Sequence, residues 1–234
     1  MNPNKAPIQK KILAALIFKL GSWVTPKRNL NYVVEVLDFA KFVRVNFGRV
    51  EYMSSREKIW EEIEKQLSAD VIFLEFGVAY GYMTSWWLEP QRTQLGGIEF
   101  VYYGFDTFQG LPSPWREFSI GTFSTDGIAP NINNSNLKFQ VGLVEHTLTN
   151  DFIYNLSGNS QLILLFDLDL FEPTLFVYEK LKSRIKTGDI IYFDEARDAQ
   201  ERRVLENYVM RDFVLQPLAV SYSNIAFRIS GYKH

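Results

Sequence analysis

Val71-Ile72-Phe73-Leu74-Glu75-Phe76-Gly77-Val78-Ala79-Tyr80-Gly81 is the stretch that decides the fold. It opens with a short apolar run of strand formers, Val71 to Glu75, then breaks into glycines and continues as a helical pattern through Trp87 and Leu88. A strand that is apolar at successive positions, rather than at alternate ones, is buried on both faces, as in a parallel sheet covered by helices. The same grammar recurs downstream: Phe100 to Asp106, Leu137 to Val141, Gln161 to Asp167 and Ile190 to Asp194 all read as strands. Helical stretches from Thr174 to Ile185 and from Gln200 to Val209 follow the fourth and fifth strands. Two final strand-like segments, Val214 to Tyr222 and Ile225 to Ile229, have only a short turn between them and so predict a terminal antiparallel hairpin. The expectation is an α/β fold with a mostly parallel sheet, each strand followed by a covering element.

Upstream of Asp70 the pattern is helical. Ala6 to Leu20, Leu30 to Asn46 and Ser55 to Leu67 are the expected helices, the last opening on a serine cap but with Lys58 where a full capping box needs an acid or amide. We therefore divide the chain into an N-terminal helical lid or extension, 1–69, and one α/β domain, 70–234. A length of 234 residues suits one such domain with a small appendage. Lys5, Lys10 and Lys11 ahead of Ile12 to Phe18 mimic a signal peptide, but Lys19 ends the run and no small-x-small cleavage site follows. The run is also too short to cross a bilayer. A cytoplasmic protein is expected, with the first helix packing on the domain or on a second copy in a homodimer.

Composition removes several classes of chemistry. Without cysteine there is no disulfide, thiolate metal site or cysteine nucleophile, and two histidines cannot build a multi-histidine metal centre. Any metal must be held by oxygen, which favours Mg²⁺ or a similar hard cation. The formal net charge of −2, with no long basic run, argues against nucleic acid as a partner.

In an open parallel sheet, ligands bind at the carboxyl ends of the strands near the switch point. Those ends are acidic: Glu75, Asp106, Asp167 and Asp194. Glu75 is followed by Gly77 and Gly81 in an E-x-G-x-x-x-G pattern, not the G-x-G-x-x-G of dinucleotide sites. A carboxylate there repels a pyrophosphate and suits an ammonium or sulfonium ligand, and S-adenosylmethionine carries both. Its ribose hydroxyls would suit a second carboxylate such as Asp106. Asp167, Asp194 and Glu195, on neighbouring strands, would repel one another unless a cation such as Mg²⁺ neutralised them, and that ion would lower the pKa of a bound hydroxyl. Asp169 is a candidate general base, although strand-end acids such as Asp169 and Glu172 also cap helices or sit solvated. His146 follows the third strand, where a lone histidine is more often a surface or packing residue than a base. Trp86, Trp87 and Trp115 fall beside the candidate site, and core packing is their commoner role.

Glu75 to Gly81, then Gly104-Phe105-Asp106-Thr107-Phe108-Gln109-Gly110-Leu111-Pro112 with Trp115, resemble the macrocin O-methyltransferase-like (TylF) family of class I methyltransferases. Phe166 to Thr174, Gly188 to Glu195, Gly142 with Thr147 and Leu148, and Asn224 to Ile229 continue the resemblance in order, over about Val71 to Ser230. It implies a Rossmann-like seven-stranded sheet that binds S-adenosylmethionine through Glu75, Gly77, Ala79, Tyr80, Gly81, Asp106, Thr107, Gly142 and Leu143. It further implies methylation of a hydroxyl on a sugar, glycoside or other natural product. Mg²⁺ would sit on Asp167, Asp194 and Glu195, with Asp167 or Asp169 taking the proton. Family members often carry histidine where Phe166 stands, and commonly aspartate where Glu195 stands. Two other readings are a non-catalytic cofactor-binding or scaffolding protein on the same fold and a nicotinamide- or nucleotide-sugar-dependent enzyme. The intact acidic cluster opposes the first, and Glu75 with the missing third glycine opposes the second.

Overall fold

A computed structural model describes residues 27–89, 98–156 and 158–233. The helix expected over Ala6–Leu20 lies outside the described residues. A seven-stranded sheet forms the centre, in the order β3-β2-β1-β4-β5-β7-β6. Its strands are β1 (Asp70–Phe76), β2 (Glu99–Asp106), β3 (Leu137–Val141), β4 (Gln161–Phe166), β5 (Ile190–Phe193), β6 (Phe213–Val220) and β7 (Ile225–Tyr232). β1 pairs in parallel with both β2 and β4, β2 with β3, and β4 with β5. β7 runs antiparallel between β5 and β6, which is the expected terminal hairpin. The chain runs outward from β1 to β3 and then returns to β4 on the other side of β1. The switch point, and the crevice it opens, therefore lies between the carboxyl ends of β1 and β4.

The continuous apolar strands are buried on both faces: every residue of β4 and β5, and all of β1 beyond Asp70. Side chains alternate between two cores. Ile72, Leu74, Phe76, Leu164, Phe166 and Phe193 point to one face, where α1 (Lys27–Phe47) contributes Phe39 and Val43. Val71, Phe73, Ile163, Leu165 and Tyr192 point to the other, where α2 (Arg56–Glu64) contributes Ile59, Trp60 and Ile63 and α3 (Tyr82–Trp87) contributes Trp86 and Trp87. The segment entering α2 is also tied to the sheet, with Met53 N donating to Val220 O at 2.7 Å and Val220 N to Glu51 O at 2.9 Å. The described helices upstream of Asp70 thus share both cores with the strands.

Among the described residues the remaining helices are α4 (Val144–Thr147), α5 (Asn150–Tyr154), α6 (Phe171–Leu181) and α7 (Ala199–Val204), the last running through a π turn, Leu205–Val209, into α8 (Met210–Asp212). α6 starts before the expected Thr174 because Pro173 falls in its first turn, where a missing N–H costs nothing. The long loop after β2 is compact: Phe108, Leu111 and Trp115 are buried, with Trp115 stacked on Phe118.

Candidate functional site

The loop after β1 forms the floor of the crevice. Gly77 has φ +91°, and a Cβ there would overlap the Asp167 carbonyl oxygen, so only glycine lets β1 and β4 close at this point. Gly81 (φ +75°) caps α3 against Pro130, and Ala79 also takes a positive φ of 45°. Glu75 is 1% exposed, and its Oε2 accepts the hydroxyls of Thr84 and of Tyr102, the latter at 2.8 Å. Burial pushes the Glu75 carboxyl up to about 7, against the pull of those two hydrogen bonds. Asp106 Oδ2 accepts Val78 N at 2.8 Å and Ala79 N at 2.7 Å, while Oδ1 accepts Phe108 N at 2.7 Å. The acid at the end of β2 therefore ties together the two loops that form the floor, and its Oδ1, with one of two lone pairs used, still has acceptor capacity.

A second acidic group stands at the ends of β4 and β5. Burial, then the charges of Asp194 and Asp169, push Asp167 well above the usual carboxylate range. Asp169 takes a positive φ of 63°, and burial, then Glu195 and Asp194, push it up to about 8. Behind them Glu201, fully buried on α7, accepts Leu168 N (3.0 Å), Asp169 N (3.2 Å) and Glu195 N (3.1 Å). One side chain thereby fixes the backbones that present both acids.

These groups converge on a cavity of about 900 Å³. Of the residues expected from sequence, its wall holds Glu75, Gly77, Ala79, Tyr80, Asp106, Thr107, Gly142, Leu143, Asp167, Asp169, Asp194 and Glu195; Gly81 is set back from it. Trp115 and Arg116 close one side, and exposed His146 stands at the rim. Trp86 and Trp87 are core residues. A volume of this size falls at the upper end of the range of small-molecule sites.

The expected metal ligands are not assembled into a set. Asp194 Oδ2 lies 3.1 Å from Arg56 Nη1, and its Oδ1 accepts the Tyr192 hydroxyl and Asn224 Nδ2. Glu195 Oε2 accepts Ser223 Oγ at 2.8 Å and Arg116 Nη2 at 3.3 Å, with Arg197 Nη2 at 3.7 Å. Among the described residues no three His, Cys, Asp or Glu side chains are grouped to hold a metal ion. At Asp194 and Glu195, arginines and hydroxyls take the place that the sequence assigns to an ion, while Asp167 and Asp169 stay pushed up by burial and their acidic neighbours. The residues as placed do not fit a divalent cation.

Arg56, Arg116 and Glu201 escaped the sequence reading. For Arg56 a signal existed: it opens α2 at the positive end of the helix dipole, where an acid is favoured, and such a cation implies a carboxylate partner elsewhere. Glu201 gives no such sign, because an acid in the first turn of a helix looks ordinary until the fold buries it.

No protein-family model matches the chain, and no curated protein matches it. Solved structures do. CalS11, a calicheamicin methyltransferase, aligns over 96% of this chain and 87% of its own, at 17% identity and a TM-score of 0.56. An apo structure of CalS11, a TDP-rhamnose 3′-O-methyltransferase, aligns over 96% of both chains at 18% identity and a TM-score of 0.48. The O-methyltransferase NovP aligns over 75% of this chain and 77% of its own, at 13% identity and a TM-score of 0.47. At these identities the likeness is one of fold. The chain therefore shares its mixed seven-stranded sheet with a methyltransferase structure, and carries an acid-lined cavity at the carboxyl ends of the parallel strands.

Proposed function

We propose that the protein is an S-adenosylmethionine-dependent O-methyltransferase acting on a hydroxylated small molecule, a sugar or glycoside above all. The observation that carries the reading is Glu75: a carboxylate buried beside a glycine loop at the switch point is costly to the free protein, and a cationic ligand offsets that cost. Glu75 would face the cofactor's ammonium end and Asp106 Oδ1 its ribose, with Gly77, Ala79, Tyr80 and Gly81 shaping the floor. Thr107, Gly142 and Leu143 would border the adenosine. The sugar-type acceptor is supported by the resemblance of the Gly104–Pro112 segment and by the room that the cavity leaves beside a cofactor.

Transfer proceeds by direct displacement. The acceptor oxygen aligns with the sulfonium methyl, the C–S electron pair stays on sulfur, and the O–CH₃ bond forms as the hydroxyl proton passes to a carboxylate. Asp169 is the preferred base: buried, presented on the cavity wall and pushed up to about 8, it is matched to proton transfer near neutral pH. Asp167 is the alternative base. Because the acids do not fit a divalent ion, no step is assigned to Mg²⁺. Tyr32 and Glu35 of α1 lie against Arg197 and Arg116 at the edge of the site, which supports a lid role for this helix.

Calorimetric titration of S-adenosylmethionine, followed by methyl-transfer assays on nucleotide sugars and glycosides, tests the proposal. Binding with transfer to a hydroxyl supports it. Binding without transfer to any acceptor class favours the non-catalytic reading, and no binding removes both.

A further inference from the structure

We propose that Arg56 is the resident counter-cation of the acidic cleft, standing where a divalent ion is expected, and that the site neither takes nor needs such an ion. The inference rests on the methyl-transfer reading for the reaction it serves, but its geometry is independent of that reading.

Arg56 is built into its place. It is the first residue of α2, whose Ile59, Trp60 and Ile63 are wholly buried, so its backbone is fixed by the core. Its guanidinium lies 5.7 Å from the Trp60 ring centroid and 5.2 Å from that of Tyr82, and the Tyr82 hydroxyl is held in turn by Glu57 Oε1 at 2.7 Å. From this aromatic bracket Nη1 meets Asp194 Oδ2 at 3.1 Å, and the same charge acts on Asp167 across the cleft. The other oxygen of Asp194 is taken by the Tyr192 hydroxyl and the Asn224 amide.

A divalent ion on Asp194 would face two obstacles. Its ligand oxygen already accepts donors, and oxygen-bound Mg²⁺ at about 2.1 Å would stand within roughly 5 Å of the guanidinium. Cations so close repel strongly in a partly buried cleft. Neutralisation by guanidinium is permanent, whereas neutralisation by a metal varies with supply. The acceptor hydroxyl is then oriented by the carboxylates and the cavity wall, without a Lewis acid.

Wild type, Arg56→Lys and Arg56→Gln, all treated with EDTA, would be compared in thermal melts with and without millimolar Mg²⁺, Mn²⁺ or Ca²⁺. S-adenosylmethionine titrations of wild type would run in parallel. Wild type and Arg56→Lys should melt at the same temperature with or without ion. Arg56→Gln, with its carboxylates uncompensated, should melt lower and regain stability with Mn²⁺. Wild-type cofactor binding should be the same in EDTA and in Mg²⁺. An ion-dependent rise of about 5 °C or more in the wild-type melt, the size expected for an ion at a hundredfold its Kd, would overturn the inference. So would an Arg56→Gln protein that melts like wild type and ignores ions. If Arg56→Gln does not fold, the wild-type and Arg56→Lys melts decide. Absence of cofactor binding in both buffers removes the methyl-transfer reading and leaves the ion response to judge this one.

Discussion

Glu75 concentrates the conflict between stability and binding in one side chain. Its carboxyl, pushed up to about 7 by burial, is held mostly neutral below that pH in the free protein and must be charged above it. A shift of that size from the ordinary glutamate range is worth about 3 kcal/mol. Glu75→Gln keeps the shape and an acceptor for Thr84 and Tyr102 while removing the charge. The variant should be more stable than wild type at pH 8, by up to about 3 kcal/mol in urea titration, and indistinguishable from it at pH 4. Equal destabilisation at both pH values would contradict the electrostatic account. Asp169 makes a separate prediction. A base must be unprotonated, so with its carboxyl near 8 the rate of transfer should rise with pH and level off above that value. Asp169→Asn should lose about a hundredfold or more in kcat while binding cofactor normally. A variant with wild-type kcat would move the role to Asp167.

At the scale of elements, the strand ends were open to reading and the contacts between them were not. β4 and β5 are continuous apolar runs closed by acids, and such runs admit few readings once helices alternate with them. α4 and α5, at four and five residues, are too short for periodicity to register. The sequence placed Asp167, Asp194 and Glu195 on neighbouring strands, yet it could not show that Arg56, from a helix more than a hundred residues away, would claim Asp194. Gly77 lies between the two cases. Its place in a glycine motif was visible, and its structural cause, the contact of β1 and β4 backbones at Asp167, was not. Gly77→Ala should cost about 3 kcal/mol or more, combining overpacking with an unfavourable positive φ. Circular dichroism melts would measure it, and a loss below about 1 kcal/mol would mean that the loop can open without penalty.

For the whole molecule, the buried acids act together. Asp189, Glu75 and Asp169 are pushed up to about 6, 7 and 8, each chiefly by burial. In all three the folded form holds its proton to higher pH than the unfolded chain, so stability falls as pH rises from about 4, where unfolded carboxyls ionise, to these values. As far as these acids decide it, the ligand-free protein should therefore have its highest Tm near pH 4 and lose stability steadily to pH 8. A Tm that rises over the same interval would show that these carboxylates are charged and compensated in the folded state. The overall architecture follows from alternation of buried strands and helices, and the likeness to CalS11 over 96% of this chain is a likeness of that architecture. What the site does with it depends on a handful of acids and their partners.

The most direct test is an isothermal titration of S-adenosylmethionine into wild type and Glu75→Gln at pH 6 and pH 8. Wild type should bind more tightly at pH 8, because the Glu75 carboxyl is then charged and meets the cationic end of the ligand. Glu75→Gln should bind at least tenfold more weakly than wild type at pH 8 and show no pH dependence. Failure of wild type to bind at either pH, or a Glu75→Gln protein that binds equally well, would contradict the account.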